Sequence, residues 1–140
     1  MLKFENIEDL KKLESEASFP DRLPEKTIYK SLKRVATNFP SRPAVSFQIT
    51  SKPGSKSETY TWKELHEIVV KAANAFRKSG IQKDDVIAFV LPNCSETAIT
   101  FLAGAITGIV NPINALLEPK QIAHILRETN AKAIVTLSPM

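Results

Sequence analysis

Residue types that do covalent or metal chemistry are sparse here: one cysteine, Cys94, and two histidines, His66 and His124. Cys94 follows Pro92-Asn93 at the start of a helical stretch, where the helix dipole lowers a thiol pKa and favours a thiolate. A nucleophile also needs a base, and both histidines fall on other helical stretches with no nucleophile signature beside them. Cys94 therefore reads as structural. Asn93 and Glu96 stand three apart and predict a capping box there, which accounts for the local sequence without catalysis. His66 and His124 lack the paired spacing of metal ligands and read as helix-face residues. Asp84-Asp85 precedes an apolar run instead of ending one, which predicts a turn rather than an acidic cluster at a strand end. Pro53-Gly54-Ser55-Lys56-Ser57 looks like the second half of a phosphate-binding loop. It lacks that loop's first glycine and lies inside a predicted hairpin, so it too reads as a turn.

Bulk properties narrow the remaining classes. The 140 residues suffice for one domain, which can bury roughly two thirds of its unfolded surface. At 43% hydrophobic and 24% charged residues, the chain is globular rather than disordered. The net charge of +4 is mild and its lysines are spread out, as on a solvated surface. No zinc-finger spacing and no aromatic-plus-basic ribonucleoprotein motif occurs, so nucleic acid is not an expected partner. A single cysteine allows no intrachain disulfide and points to the reducing cytoplasm. Residues 1–16 alternate charged and apolar types, unlike a signal peptide. Residues 97–117 carry no charge, but Asn111, Pro112 and Asn114 interrupt them short of the roughly 20 apolar residues that span a bilayer. No transmembrane segment is expected; a buried helix feeding a buried strand explains the stretch.

The periodicities divide the chain at about residue 24. Residues 1–24 read as a short amphipathic helix, Ile7 to Glu14, and a polar linker ending in Pro20 and Pro24. From 25 to 140 one larger unit follows. A helix runs from Thr27 to Asn38, with Ile28, Leu32, Val35 and Phe39 on one face and Pro40 and Pro43 closing it. Ala44 to Thr50 reads as a strand, the turn-rich 51–58 as a loop, and Thr59 to Thr61 as the returning strand of a hairpin. From Trp62 to Lys78, Leu65, Val69, Ala72, Ala73 and Phe76 recur at helical spacing. Thr61 with Glu64 predicts its capping box, and Gly80 a left-handed exit. Then come an apolar strand (Val86 to Leu91), a helix to Thr107, a brief strand (Ile109 to Pro112), a helix from Pro119 to Thr129 and an apolar strand (Ala133 to Leu137). This βαβαβ order predicts an α/β fold: a partial doubly wound, mainly parallel sheet with right-handed crossovers. Gly104 and Gly108 permit close packing, and Gly108 is expected to end its helix with positive φ.

Five segments in this order resemble the adenylate-forming (AMP-binding) enzymes, most like bacterial acyl-CoA synthetases. Tyr60-Thr61-Trp62-Lys63-Glu64-Leu65 is similar to that family's "TYxEL" segment, and Asn74 to Ile81 to "ANALRxLGV". Asp84 to Asn93 resembles "GDRVAIxLPN", with Asp84 where glycine is usual. Thr107-Gly108-Ile109-Val110-Asn111-Pro112-Ile113-Asn114 resembles "xGAVxxPLN", and Glu118-Pro119 opens a "TPEEL"-like helix. Each is weak alone; together they span Thr27 to Leu137.

The resemblance implies a two-step ligase. A carboxylic, fatty-acid-like substrate attacks the α-phosphate of ATP to form acyl-AMP, and the coenzyme A thiol then displaces AMP, with Mg2+ and cations neutralising phosphate. In the family these tasks use a loop of the type "TSGTTGxPKG", an acidic ribose-binding residue and a C-terminal lysine. None lies in these 140 residues, so no catalytic residue is assigned and the segment is expected to be inactive alone. One loop keeps a ligand claim. Ile113 to Leu117 leaves a parallel strand on the side where such sheets bind ligands, and the corresponding loop of the family can lie beside coenzyme A. Asn114, Ala115 and Leu116 are therefore the candidate coenzyme-lining positions, with a packing loop as the alternative. Two other readings stay open: an adenylation domain of another kind, and a freestanding non-catalytic α/β interaction module. Strands apolar on both faces, with few helices to cover them, also predict self-association of the chain.

Overall fold

The protein is described from a computed structural model covering residues 5–137. Residues 1–4 and 138–140, the extremes of the two expected units, lie outside the described residues.

Helix α1 (Ile7–Glu16) begins at Asn6, whose side-chain oxygen accepts from the amides of Glu8 and Asp9 at 2.8 and 3.1 Å. The supposed linker after it contains a short helix, α2 (Phe19–Arg22), started by Ser18 and tolerating Pro20 in its first turn. Neither helix buries a residue. α3 (Ile28–Asn38) is capped by Thr27, so its body begins one residue later than predicted. β1 (Pro43–Gln48) pairs antiparallel with β2 (Ser57–Thr61). β1 stops short of the predicted Thr50 because that hydroxyl turns to Ser55 Oγ at 2.6 Å inside the loop. Gly54 sits there at φ 78°, so the lookalike of a phosphate loop is a hairpin turn.

α4 (Trp62–Lys78) carries the predicted capping box of Thr61 and Glu64. Its exit is a Schellman turn: Gly80, at φ 86°, donates to Arg77 O, and Ile81 donates to Phe76 O and is buried. Leu65, Val69 and Ala73 of α4 meet Leu32 of α3 and Ala103 of α5 (Ser95–Thr107) in the core cluster.

β3 (Val86–Val90) lies between β4 (Ile109–Pro112) and β5 (Ala131–Thr136), parallel to both. The chain steps from β3 to one neighbour through α5, then back across β3 to the other through α6 (Pro119–Glu128). Right-handed crossovers in opposite directions put α5 and α6 on opposite faces of the sheet. This is the predicted doubly wound, mainly parallel α/β arrangement, in three strands.

Gly108 departs from expectation. Its φ is −155°, an extended value, so no left-handed exit exists there. A β-carbon at Gly108 would lie 2.6 Å from Asp85 O and 2.9 Å from Gln82 O. The position needs glycine because the end of α5 rides on the turn that leads into β3. Gly104 serves the predicted close packing, with a β-carbon there 3.1 Å from Val110 Cγ2. The left-handed residue that sequence reading overlooked is Asn130, at φ 47°, just past the C-cap of α6.

Candidate functional site at the carboxyl end of the parallel sheet

In a doubly wound sheet a ligand sits beyond the carboxyl ends of the strands, where the turns into the helices gather. Two such turns are described: Leu91–Cys94, from β3 into α5, and Ile113–Glu118, from β4 into α6. They differ in electrostatics.

The N-terminus of α6 is closed by its own residues. Glu118 and Gln121 form a reciprocal capping box, with the Glu118 amide donating to Gln121 Oε1 at 3.0 Å. At α5 the expected Asn93–Glu96 box is absent. The N-cap is Cys94, which makes no side-chain bond to the amides of the first turn. Its half-buried Sγ lies 3.3 Å from Thr97 Oγ1, which in turn donates to Pro92 O at 2.5 Å. Thr97 thus ties the turn together, and Asn93 is left exposed.

A carboxylate reaches this helix start from the hairpin. Ser95, 1% exposed, donates to Glu58 Oε2 at 2.5 Å, and the Tyr60 hydroxyl donates to Glu58 Oε1 at 2.7 Å. The Ser95 and Tyr60 hydrogen bonds hold the Glu58 carboxyl below the usual carboxylate range, and Glu58 in turn raises the Tyr60 phenol. The positive end of α5 therefore already faces an anion, which complements the helix dipole and disfavours a second anion there. Sequence reasoning missed this contact. Glu58 and Ser95 are 37 residues apart and carry no local motif linking them.

Between hairpin and α5 runs a groove of about 500 Å3, lined by Val45, Phe47, Cys94, Ala98, Phe101 and Leu102 among others. Another, about 520 Å3, lies away from the strand ends, between α3, α4 and α5 beside Tyr29, Asn74 and Arg77.

The loop with the candidate coenzyme positions leaves β4 where Ile113, buried, donates to Phe89 O at 2.9 Å. Asn114 Oδ1 accepts from the Leu116 amide at 2.9 Å, and Asn114 O accepts from Leu117, so Asn114 builds the turn. Asn114, Ala115 and Leu116 are all exposed, and Leu116 is 91% so. The structure brings these three together at the strand ends and leaves the histidines elsewhere. His66 lies on α4 with its ring 6.0 Å from that of Tyr29 and a buried Nε2 without a hydrogen-bond partner, and His124 is exposed on α6. Among the described residues no three His, Cys, Asp or Glu side chains converge as metal ligands. Asp84-Asp85 forms the expected turn: the Gln82 amide donates to Asp85 Oδ2 at 2.6 Å, and Lys132 pairs with the same oxygen at 2.8 Å. No helix of the described residues is long and apolar enough to cross a membrane.

Strand order and helices on both faces define the class: an α/β domain whose ligand side is the carboxyl end of its sheet. The chain belongs to the AMP-binding enzyme family, whose profile matches residues 32–139. Marinolic acid–CoA ligase of a Pseudoalteromonas species is 31% identical to it over 96% of the chain and 20% of that relative. A long-chain-fatty-acid–CoA ligase of Bacillus subtilis is 32% identical over 82% of the chain and 19% of the relative. The chain thus spans about a fifth of the length of these relatives. Among solved structures, the N-terminal domain of FACL13 from Mycobacterium tuberculosis superposes at a TM-score of 0.67 with 24% identity, covering 80% of this chain and 27% of that one. The N-terminal subdomain of Klebsiella oxytoca NpsA, in complex with anthranilyl-AMSN, reaches 0.69 at 22% identity over 82% and 28%. At these identities the structural likenesses establish the fold.

Proposed function

We propose that the chain is the N-terminal segment of an ATP-dependent acyl-CoA synthetase acting in the cytoplasm on a carboxylic, fatty-acid-like substrate. The observation that carries this reading is the CoA-ligase relative aligned along 96% of the chain. The whole reaction forms acyl-AMP and pyrophosphate, then a thioester with coenzyme A.

The segment's own residues fit only part of that task. Among the described residues, ATP phosphates and Mg2+ find no fitting site: α6 is capped by Glu118, α5 faces Glu58, and no three His, Cys, Asp or Glu side chains converge for a cation. The 140 residues also hold no "TSGTTGxPKG"-type loop. No step of adenylation is therefore assigned to these residues, and the chain alone is inactive. Coenzyme A is different. The turn built by Asn114 presents Ala115 and Leu116 outward at the strand ends, where an exposed apolar side chain can cover part of a large cofactor. Asn114, Ala115 and Leu116 are the proposed coenzyme-lining positions.

The test has two arms. Purified chain with ATP, Mg2+ and a panel of carboxylic acids is expected to release no pyrophosphate; acid-dependent release overturns its inactivity. Amide NMR shifts on titration with coenzyme A are expected to move at residues 113–117, and an unmoved loop removes the coenzyme contact. A second reading, an adenylation domain of another kind, is supported by the fold likeness to NpsA. It predicts the same inactivity of the segment but no shift with coenzyme A.

A further inference from the structure

We infer that the hollow between α3, α4 and α5 binds a monocarboxylate with an apolar body, its carboxylate held at the rim by Arg77 and Asn74. The hollow has a volume of about 520 Å3, within the roughly 300–1,000 Å3 of small-molecule sites. Every lining residue falls between 27 and 106. Val70, Ala73, Asn74 and Arg77 recur at i, i+3, i+4 and i+7 and so share one face of α4. Ala73 of α4 and Ala105 of α5 both line the hollow, and such short side chains leave open a space that larger residues would fill.

Floor and rim differ in chemistry. Ala73 is buried and Val70, Ala105 and Ile106 are half-buried, so the floor is apolar. The rim is polar. Arg77 is exposed, and its guanidinium makes one hydrogen bond among the described residues, a 3.3 Å donation to Ile106 O. It enters no ion pair there, so most of its five N–H donors stay open. One turn before it, the exposed Asn74 side chain likewise makes no hydrogen bond among the described residues. Tyr29 stands on the α3 side of the rim, its ring 6.0 Å from that of His66.

This arrangement selects the class of ligand. The lining carries one charge, the Arg77 cation, which balances a single negative charge and leaves a phosphate dianion under-neutralised. A planar carboxylate matches the guanidinium fork through two parallel N–H···O bonds, and the Asn74 amide adds a further donor. The apolar floor beside them gains when a hydrocarbon or aromatic body displaces water from it. An inorganic anion or a sugar phosphate satisfies only half of the site. The inference does not rest on the ligase reading, since it needs neither ATP nor coenzyme A.

Amide NMR on the 140-residue chain, titrated with octanoate in the absence of ATP and coenzyme A, is expected to show saturable shifts centred on residues 27–29, 73–77 and 105–106. Octanol has the body without the charge and acetate the charge without the body, and each is expected to bind about tenfold more weakly or worse. Arg77→Gln is expected to weaken octanoate binding by about tenfold or more while keeping the wild-type circular dichroism spectrum. Asn74→Ala, at an exposed position, is expected to weaken it severalfold and decides the matter if Arg77→Gln unfolds. No saturable shift overturns the inference, and so do shifts centred elsewhere. So does octanol binding as tightly as octanoate, or an affinity indifferent to Arg77→Gln, or to Asn74→Ala where that variant decides. Pyrophosphate release and coenzyme A shifts at residues 113–117 are read independently, so this site and the ligase reading stand or fall separately.

Discussion

The two faces of the parallel sheet are built to different standards. On the α5 side, Ile87 and Phe89 of β3 are buried, Gly104 lets α5 settle onto Val110, and Leu65 and Val69 of α4 seal a second layer. On the α6 side Ala88 is buried, yet Ile109 and Ile134 flank it at 51% and 49% exposure, and α6 buries no residue fully. Both helices lie across the sheet, but only α5 is itself backed by further helices, α3 and α4. A single helix over a three-stranded sheet leaves its flanks wet. The comparison teaches that the tightly packed layer of this chain lies on one face, while the other is only partly covered among the described residues.

Substitutions can break or sharpen that contrast. Leu65→Ala is expected to cost about 2–5 kcal/mol by emptying a fully packed site, read from urea unfolding midpoints. Gly108→Ala comes next at about 1–3 kcal/mol, because its β-carbon would press on two backbone oxygens that have little room to yield. Gly80→Ala, whose β-carbon meets open space, is expected to cost about 1 kcal/mol through positive φ alone. Equal losses at the two glycines would show that the α5–β3 junction relaxes freely. On the other face, Leu126→Ala is expected to cost no more than about 1 kcal/mol, since its side chain is only half removed from water. A loss as large as that of Leu65→Ala would erase the asymmetry.

The smallest effect is one of pH, at the seam between hairpin and α5. Glu58 is held below its ordinary value by hydrogen bonds from Ser95 and Tyr60. A carboxyl whose folded pKa is depressed adds stability above its unfolded pKa, and that stability is lost as pH falls through the folded value. Glu58→Gln is therefore expected to lower the melting temperature slightly at neutral pH and to flatten the acid limb, the two profiles converging below the ordinary carboxylate range. An acid limb identical to wild type would remove Glu58 from the seam.

Much of this architecture was legible beforehand, for identifiable reasons. Helix α4 announces itself through Leu65, Val69 and Ala73 at helical spacing between a Thr61–Glu64 box and Gly80, and all of those signals act within a few residues. The strands appear as short apolar runs because β3 is covered on both faces. Short-range signals misled where a nearby partner outcompeted them. Asn93 and Glu96 have capping spacing, but Thr97 closes the turn on Pro92 and Cys94 takes the cap position. Residues 19–22 looked like linker because Pro20 lies within them and Pro24 follows, although a first-turn proline is compatible with a helix. In the candidate site, the loop of Asn114, Ala115 and Leu116 could be placed at the strand ends from element order alone. The carboxylate opposite α5 could not, because Glu58 comes from the distant hairpin.

The sequence by itself determined the main helices and strands, the parallel α/β class and the family, since hydrophobic period, caps and short motifs are local properties of the chain. Tertiary structure alone decided why Gly108 is glycine, which helix start faces a carboxylate, and where the Lys132 ammonium is held. Each of those depends on backbone oxygens or side chains brought together from far apart in the chain, as with Lys132 drawn 47 residues back to Asp85, and no local pattern encodes such a meeting.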